Sequence, residues 1–237
     1  AKSLAYKLIS RGVPVSSQLV DRAQEFMQLR RLLQDLHVNC FLDVGANTGQ
    51  TVEALRGIGY RGWIISFEPV RCVFDVLQAS WRKDSLWQGF QLALGDTNTR
   101  LPLNVLPDST VMSSLLDPKG ASDTLHVEAV EVRRLDSLFA SLVESIANPR
   151  VFLKMDTQGY DLRVFQGAAG CLDAIRGLQS ELSAQPLYNG VPCYLDVLRE
   201  YENAGFELYH LSTVSRTRIG TIEDMNCLMR RPLSNGA

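Results

Sequence analysis

Short apolar runs alternate with amphipathic segments along most of this chain. Five of the runs predict strands: "CFLDV", "WIISF", "FQLAL", "VFLKM" and "IRGLQSEL". Helical periodicity lies between and after them, at 49–56, at 70–81, from about Tyr160 and at 194–204. Because parallel strands need crossover connections, which are usually helices, this alternation predicts a doubly wound α/β domain with helices on both faces of a mostly parallel sheet.

Two segments depart from this alternation. Apolar residues recur at helical spacing up to Leu36, which predicts an N-terminal helical cap in 1–38 over the sheet edge or a partner, and a main domain in 39–237. Between Arg100 and Arg134 the pattern has a period of two without an intervening helix, which predicts an inserted hairpin or a pair of edge strands. The polar segment "PDSTVMSSLLDPKGASD" inside this insertion is predicted to be a lid or binding loop.

Composition narrows the choice of partner and location. The 24 basic and 26 acidic residues give a net charge of −2, so no bulk attraction to nucleic acid is expected. No apolar run reaches the roughly 20 residues of a membrane span. Five scattered cysteines without a C-x-x-C pair are typical of reduced thiols in a cytoplasm, and no metal-ligand spacing is present.

The turn after the first strand carries the clearest chemical signal. In "FLDVGANTGQT", Asp43 closes a strand, and Gly45 to Gly49 bring small side chains and free N–H groups to its carboxyl end. In "WIISFEP", Glu68 ends the next strand, where it could accept hydrogen bonds from a ribose diol, with Pro69 at the first position of a helix. Glu68 could instead only cap that helix. Together the two signals predict an adenosine ligand.

Two kinds of adenosine ligand compete for this turn. A dinucleotide site normally has G-x-G-x-x-G, and Asn47 stands where the middle glycine would admit a pyrophosphate. S-adenosylmethionine has no pyrophosphate, and Asp43 could accept a hydrogen bond from its ammonium group. Asp96 in "LALGD" could accept from the adenine amino group, or could be an ordinary turn residue. An NAD(P)-dependent oxidoreductase and a non-catalytic nucleotide-binding interaction module remain as alternatives.

The motifs together resemble a known family. "FLDVGANTGQT", "ISFEP", "LALGD", "SSL", "VFLKMDTQGYD" and "ELSAQPLYNG" follow the order seen in the FkbM family of S-adenosylmethionine-dependent O-methyltransferases, over about 41–230. The resemblance implies a class I methyltransferase fold, a Rossmann-like seven-stranded sheet whose last strand is antiparallel. It also implies an acceptor hydroxyl on a small molecule such as a sugar unit or a secondary metabolite. Family members usually carry Glu at the position of Gln158 and often at that of Asp161.

Methyl transfer to oxygen needs an aligned hydroxyl and a group that takes its proton. Asp156 at the end of "VFLKMD" is the first candidate, and Lys154 on the same side of the strand could lower its pKa or contact the substrate. Glu181 at the end of the next strand is the second candidate, for contact with the hydroxyl or as base. The alternatives are that Asp156 caps a helix and that Glu181 is only solvated.

These arguments define three sets of predicted site residues. The catalytic set is Asp156, Glu181 and Lys154. The cofactor-binding set is Asp43, Gly45, Ala46, Asn47, Thr48, Gly49, Glu68, Pro69, Gly95, Asp96, Ser114 and Asp156. Tyr188, Met112 and the pair Ser113 and Ser114 are predicted to line an acceptor pocket. No metal is expected, and the amphipathic N-terminal helix could serve a homodimer.

Overall fold

The computed structural model describes residues 17–105, 112–120 and 126–232. The helices are α1 (Ser17–Asp35), α2 (Gln50–Gly57), α3 (Arg71–Trp81), α4 (Leu135–Leu142), α5 (Asp161–Gln166) and α6 (Tyr194–Asn203), with a 3₁₀ turn at Ala169–Ala174. The strands are β1 (Cys40–Val44), β2 (Trp63–Phe67), β3 (Trp87–Phe90), β4 (Ala93–Leu94), β5 (Thr99–Val105), β6 (His126–Arg133), β7 (Val151–Met155), β8 (Ile175–Ser183), β9 (Glu207–Arg216) and β10 (Ile222–Arg230).

The main sheet confirms the predicted doubly wound fold. Its seven strands lie in the order β3-β2-β1-β7-β8-β10-β9, and β10 runs antiparallel to both of its neighbours. The fully buried strands β1 and β7 are apolar except for Asp43 and Lys154, as expected for strands covered on both faces. Strand β1 pairs in parallel with β2 on one side and with β7 on the other. The chain reverses its direction of winding between these neighbours, so the carboxyl ends of β1 and β7 form a topological switch point. Open α/β sheets bind ligands at such points.

The predicted third strand "FQLAL" was placed wrongly. The strand that pairs with β2 is β3 at Trp87–Phe90, and the indole of Trp87 donates to Ser66 Oγ at 3.1 Å. Ala93 and Leu94 instead form β4, which pairs with β6 in a second sheet. A short apolar run does not reveal which neighbour it will pair with, so tertiary pairing decides the register.

The predicted insertion forms part of this second, three-stranded sheet. Strands β5 and β6 pair antiparallel, as a hairpin requires, and β4 joins β6 in parallel. The inner face of the sheet packs on α3, where Val73 contacts the cluster that includes Leu103 and Val132. Within the predicted lid, residues 112–120 are described, and Ser114 and Pro118 form bridges to Asn104 and Tyr188; the remainder of the lid lies outside the described residues. Helix α4 follows β6 and was not predicted.

Helix α1 lies across a face of the main sheet and reaches its edge strand β9, where the Tyr209 hydroxyl donates to Gln28 at 3.3 Å. Leu29, Leu32, Leu33 and Leu36 are buried, in a cluster with Phe41, Val52, Phe152 and Leu228. Each fully buried leucine contributes about 1.5–3 kcal/mol of favourable transfer free energy, so this packing fixes the helix firmly. Residues 1–16 of the predicted cap lie outside the described residues.

Candidate active site

A cavity of about 750 Å³ opens at the carboxyl ends of the central strands. It is lined by the turn after β1, the ends of β7 and β8, residues of β9, β10 and α1, and the segment 112–115. Ligand pockets in proteins usually have volumes of about 300–1,000 Å³, and they favour such switch points. The cavity is therefore the candidate active site.

The turn after β1 forms one end of the cavity. Gly45 has φ +77° and Asn47 has φ +47°, and a Cβ on Gly45 would overlap the backbone oxygen of Asp156. Glycine is therefore required here because the turn after β1 approaches the end of β7 closely. Gly45, Ala46 and Asn47 line the cavity, as predicted.

The rest of the glycine turn faces away from the cavity. Gly49 has φ +100°, and a Cβ there would overlap the indole of Trp81, so this glycine serves the packing of α2 against α3. Thr48 and Gly49 are absent from the cavity lining. Their predicted contact with the cofactor therefore does not fit this geometry, because packing of the helix explains the small residue.

Glu68 links the first two turns of the sheet. Its Oε2 accepts from the backbone N–H of Asn47 at 2.9 Å, and its Oε1 accepts from that of Val70, also at 2.9 Å. Helix α3 begins at Arg71 without a side-chain cap, so neither a cap by Glu68 nor Pro69 at the first helical position is observed. Glu68 and Pro69 both line the cavity. A carboxylate has about four acceptor sites, so two remain for ribose hydroxyls. Burial raises the pKa of Glu68 to about 7, although the two backbone donors lower it.

Three charged groups lie in a row behind the turn. Lys154 Nζ is 3.2 Å from Asp43 Oδ1 and 3.2 Å from Asp156 Oδ2. Burial lowers the pKa of Lys154, but the charges of Asp156 and Asp43 outweigh it and raise the pKa. Lys154 therefore stays charged at neutral pH, as a bridge between the two carboxylates.

Asp43 and Asp156 differ in exposure. The Asp43 side chain is 0% exposed, and burial raises its pKa although Lys154 opposes the change. Asp43 is not in the cavity lining, so the predicted contact with a cofactor ammonium group does not fit, because Lys154 stands between them. The Asp156 side chain is 45% exposed, lines the cavity and caps no helix.

Glu181 lies at the end of β8 in the same cavity. Its Oε2 accepts from Gln158 Nε2 at 3.1 Å. Burial is the largest cause that raises the pKa of Glu181 well above its usual value, and nearby Asp156 and Asp161 raise it further. The structure thus brings the three predicted catalytic residues to one cavity, where Glu181 is half-buried and accepts a hydrogen bond.

Asp161 organises these strand ends, a role that the sequence did not indicate. Its carboxylate is buried and accepts from the backbone N–H of Thr157 at 2.8 Å, from Ser180 Oγ at 2.9 Å and from the N–H of Glu181 at 3.0 Å. It therefore ties the turn after β7 to the end of β8. A carboxylate that follows a turn of Thr, Gln and Gly is the local signal that could have suggested such a cap.

Gly95 and Asp96 lie away from the cavity. They follow β4 in the second sheet, and Asp96 Oδ2 accepts from Arg163 at 2.8 Å. The predicted adenine contact does not fit, because "FQLAL" does not form one strand of the main sheet. Its last two residues belong to the second sheet, so Gly95 and Asp96 do not follow the end of a main-sheet strand. The chain segment that does line the cavity here is Ala93 and Leu94.

The predicted acceptor residues gather around the segment 112–115. Met112, Ser113, Ser114 and Tyr188 all line the cavity. Ser114 is buried and donates to the backbone oxygen of Gln158 at 2.9 Å, and the Tyr188 hydroxyl donates to the backbone oxygen of Met112. Ser114 thus holds the turn that carries Gln158, which is a different role from the predicted cofactor contact.

A family model named Methyltransferase FkbM domain matches residues 43–208. The chain belongs to this family. S-adenosylmethionine is accordingly the cofactor of this FkbM methyltransferase. No curated protein matches the chain.

Solved structures resemble the FkbM methyltransferase in fold. A Thermobifida fusca protein, described provisionally as a methyltransferase, is 11% identical and covers 91% of this chain and 82% of its own, with a TM-score of 0.51. Magnesium protoporphyrin IX methyltransferase from Synechocystis PCC 6803, solved with bound S-adenosylmethionine, is 10% identical, covers 92% and 86%, and has a TM-score of 0.48. At such identities the likeness concerns the fold alone.

The residues at the glycine-turn end fit S-adenosylmethionine. Gly45, Ala46 and Asn47 leave space beside the backbone where a Cβ at position 45 would intrude, and Glu68 keeps free acceptor sites for a ribose. Asp156 stands next to them with an exposed carboxylate that lines the same cavity. Gly45, Ala46, Asn47 and Glu68 would hold the cofactor.

The other end of the cavity contains residues that sequence reasoning missed. Helix α1 contributes Arg22, Glu25 and Phe26, and β9 and β10 contribute Thr213, Ser215, Asp224 and Asn226. Polar residues occupy every second position of β8, so that Gln179, Glu181 and Ser183 point to the same side and line the cavity. A polar face is unusual in the middle of a covered sheet, so this alternation was the sequence signal for these cavity residues.

Neither a metal-binding cluster nor a membrane-spanning helix occurs in the ranges that the structure describes. Among the described residues, no group of three or more His, Cys, Asp or Glu side chains could hold a metal ion. In the described chain no helix is both long and apolar enough to cross a membrane. All five cysteines are free thiols, and Cys40, Cys171 and Cys227 are buried.

Proposed function

We propose that this methyltransferase moves a methyl group from S-adenosylmethionine to a hydroxyl oxygen of a small polar metabolite, such as a sugar unit. The observation that carries the proposal is that two carboxylates, Asp156 and Glu181, line the cavity that also contains the glycine turn. When bound, the cofactor supplies an electrophilic methyl group. A neutral hydroxyl must lose a proton during methylation, and a carboxylate can accept it.

Asp156 is the proton acceptor in this proposal. Its side chain is 45% exposed to the cavity, and Lys154 at 3.2 Å fixes its orientation from the buried side. Glu181 accepts a hydrogen bond from a neighbouring hydroxyl of the acceptor molecule and so holds the reacting oxygen towards the glycine turn. Positioning of this kind removes much of the entropic barrier of a displacement reaction.

The end of the cavity below α1 supports a hydroxylated acceptor. Gln179, Asn226 and Ser215 supply amide and hydroxyl groups, while Glu181 and Asp224 supply carboxylate oxygens. A hydroxyl group both donates and accepts, so it can satisfy such a mixed set. Pro186 and Leu187, with Tyr188, provide an apolar wall on the same cavity, which suits the apolar face of a sugar ring.

Two steps test the proposal. Calorimetric titration with S-adenosylhomocysteine, with NAD and NADP in parallel, should show binding of S-adenosylhomocysteine alone. Methyl glycosides, hydroxylated aromatics and simple amines are then offered with S-adenosylmethionine, and the methylated atom is located by NMR. A methyl group on nitrogen only would refute hydroxyl specificity, and cofactor binding without transfer to any class would favour the interaction module.

The proposal also covers the domain boundary, the cellular location and the oligomeric state. The domain boundary after residue 38 stays a prediction, because α1 packs into the core of the main domain. A cytoplasmic location is supported by the five unpaired cysteines. The homodimer stays a prediction without support from α1, because the apolar face of this helix is packed on the sheet. Size-exclusion chromatography with light scattering decides the oligomeric state.

A further inference from the structure

The turn between β7 and α5 has an unusual backbone. Gln158 has φ +52°, in the left-handed region that residues with side chains rarely adopt, and Gly159 follows with φ +89°. Ser114 Oγ donates to the backbone oxygen of Gln158 at 2.9 Å, and Asp161 holds the N–H of Thr157 at 2.8 Å. Such strain persists only where the surroundings impose it, often at a functional site. The turn therefore fixes the direction of the Gln158 side chain.

That direction is towards Glu181. The two side chains line the cavity, and Gln158 Nε2 donates to Glu181 Oε2 at 3.1 Å. In the described parts of the chain, no other side chain donates a hydrogen bond to this carboxylate. Gln158 is thus the group that sets the orientation of the Glu181 side chain.

The surroundings otherwise oppose a charge on Glu181. The titratable and charged groups that face it are Asp156 in the turn after β7, Asp161 on α5, Asp224 on β10, Lys154 on β7 and Tyr188 in the loop before α6. Three of these are carboxylates, and Lys154 is already shared between Asp43 and Asp156. A donor from Gln158 favours the ionised carboxylate, because hydrogen bonds to a charged form stabilise that form.

We propose that Gln158 is a positioning residue that favours the ionised form of the Glu181 carboxylate and turns it towards a neighbouring hydroxyl of the acceptor molecule. The inference rests on the proposed function, in which Glu181 accepts a hydrogen bond from the acceptor. A protonated Glu181 would offer a donor in place of an acceptor, so the acceptor would bind less well. Cofactor binding at the other end of the cavity would not change.

Two substitutions at Gln158 test the loss of its hydrogen bond and the effect of an added charge separately. Gln158→Asn keeps an amide that tolerates the left-handed backbone but is too short to reach Glu181. Gln158→Glu keeps the length and places a second carboxylate against Glu181. Gln78→Glu adds the same charge on the exposed face of α3 and is the matched control.

The first measurement does not depend on activity. The protein is labelled with ¹³C at the glutamate carboxyl groups, the Glu181 resonance is assigned by its loss in Glu181→Gln, and its titration is followed by NMR. We expect the midpoint to rise in Gln158→Asn and to rise by about one pH unit or more in Gln158→Glu, the scale of a like-charge neighbour. Gln78→Glu should leave it unchanged. Midpoints in both Gln158 variants equal to that of the wild type would overturn the proposal.

The second measurement uses the methyl acceptor found by the screen. Below the raised midpoint, Gln158→Glu should increase the acceptor KM about tenfold for every pH unit by which the midpoint rises, with the Kd of S-adenosylhomocysteine unchanged, and the KM should recover at higher pH. A purely structural defect would not recover with pH and would overturn the positioning role. A raised NMR midpoint in a protein that transfers no methyl group would refute the proposed function and retain the coupling between Gln158 and Glu181.

Discussion

The glycine-turn end of the cavity is formed mainly by backbone, whereas the end below α1 is formed mainly by side chains. At the first end, Gly45 and Asn47 adopt left-handed conformations, and Glu68 accepts from two backbone N–H groups. At the second end, Glu25 of α1 accepts from the side chains of Gln179, Asn226 and Ser212, which belong to three different strands.

This difference explains how each end can vary. A site that is made of backbone tolerates few residues at the turn itself, because the conformation excludes a Cβ. A site that is made of side chains on stable strands can change its chemistry by single substitutions while the fold remains. The first end therefore suits a fixed cofactor and the second suits a particular acceptor.

The largest expected effect is at the backbone-formed end. Gly45→Val combines a positive φ with overlap against the backbone oxygen of Asp156, so it should lower the free energy of unfolding by about 3 kcal/mol and abolish binding of S-adenosylhomocysteine. Urea denaturation and calorimetry measure the two effects. The control is Gly57→Ala at the end of α2, where a Cβ has no neighbour within 4 Å. Wild-type stability of Gly45→Val would contradict the close approach of the turn to β7.

The second largest effect is expected at Asp156, which lies between the two ends of the cavity. Asp156→Asn keeps the shape of the side chain but removes the proton acceptor, and we expect kcat to fall by about 10²-fold or more while the Kd of S-adenosylhomocysteine changes little. Single-turnover kinetics and calorimetry separate the two quantities. Equal losses in kcat and in cofactor affinity would show that Asp156 acts in binding.

The sequence predicted the backbone-formed end better than the other end. Gly45 and Glu68 each follow a strand directly, so local order along the chain places them at one sheet edge without knowledge of the tertiary packing. The predicted contact between Lys154 and Asp156 is observed, because Asp156 directly follows β7 and lies two residues after Lys154.

Errors arose where position depends on distant pairing. The predicted adenine contact of Asp96 requires "FQLAL" to form one strand, but β4 pairs with β6, almost 40 residues later in the chain. Glu25 was missed because its partners lie about 150 to 200 residues away. Periodicity shows that a helix has an apolar face but not which strands that face will contact.

A smaller effect is expected from Glu68. Burial raises its pKa to about 7, and the ionised form accepts hydrogen bonds from a ribose, so affinity for S-adenosylhomocysteine should rise from pH 6 to pH 8 and then level off. Binding therefore lowers the pKa of Glu68 and releases protons below about pH 7. Glu68→Gln should weaken binding by roughly 1–3 kcal/mol and remove this pH dependence. Calorimetry in buffers of different ionisation enthalpy measures the proton release, and its persistence in Glu68→Gln would assign it to another group.

The smallest effect is expected at the side-chain-formed end, and it tests the comparison most directly. Glu25→Gln keeps the volume of the side chain but must present an amide N–H₂ to donors of Gln179, Asn226 or Ser212, so their orientation around the acceptor changes. We expect a several-fold rise in the acceptor KM, on the order of 1 kcal/mol for one disturbed hydrogen bond, with the Kd of S-adenosylhomocysteine unchanged. Arg31→Gln on the same helix, whose side chain is 74% exposed, should change neither quantity and serves as the control. Helix α1 begins before the span matched by the family. An effect of Glu25→Gln on the acceptor KM alone would therefore assign part of the acceptor specificity to this helix. An equal effect on the Kd of the cofactor would show that the two ends of the cavity do not act separately.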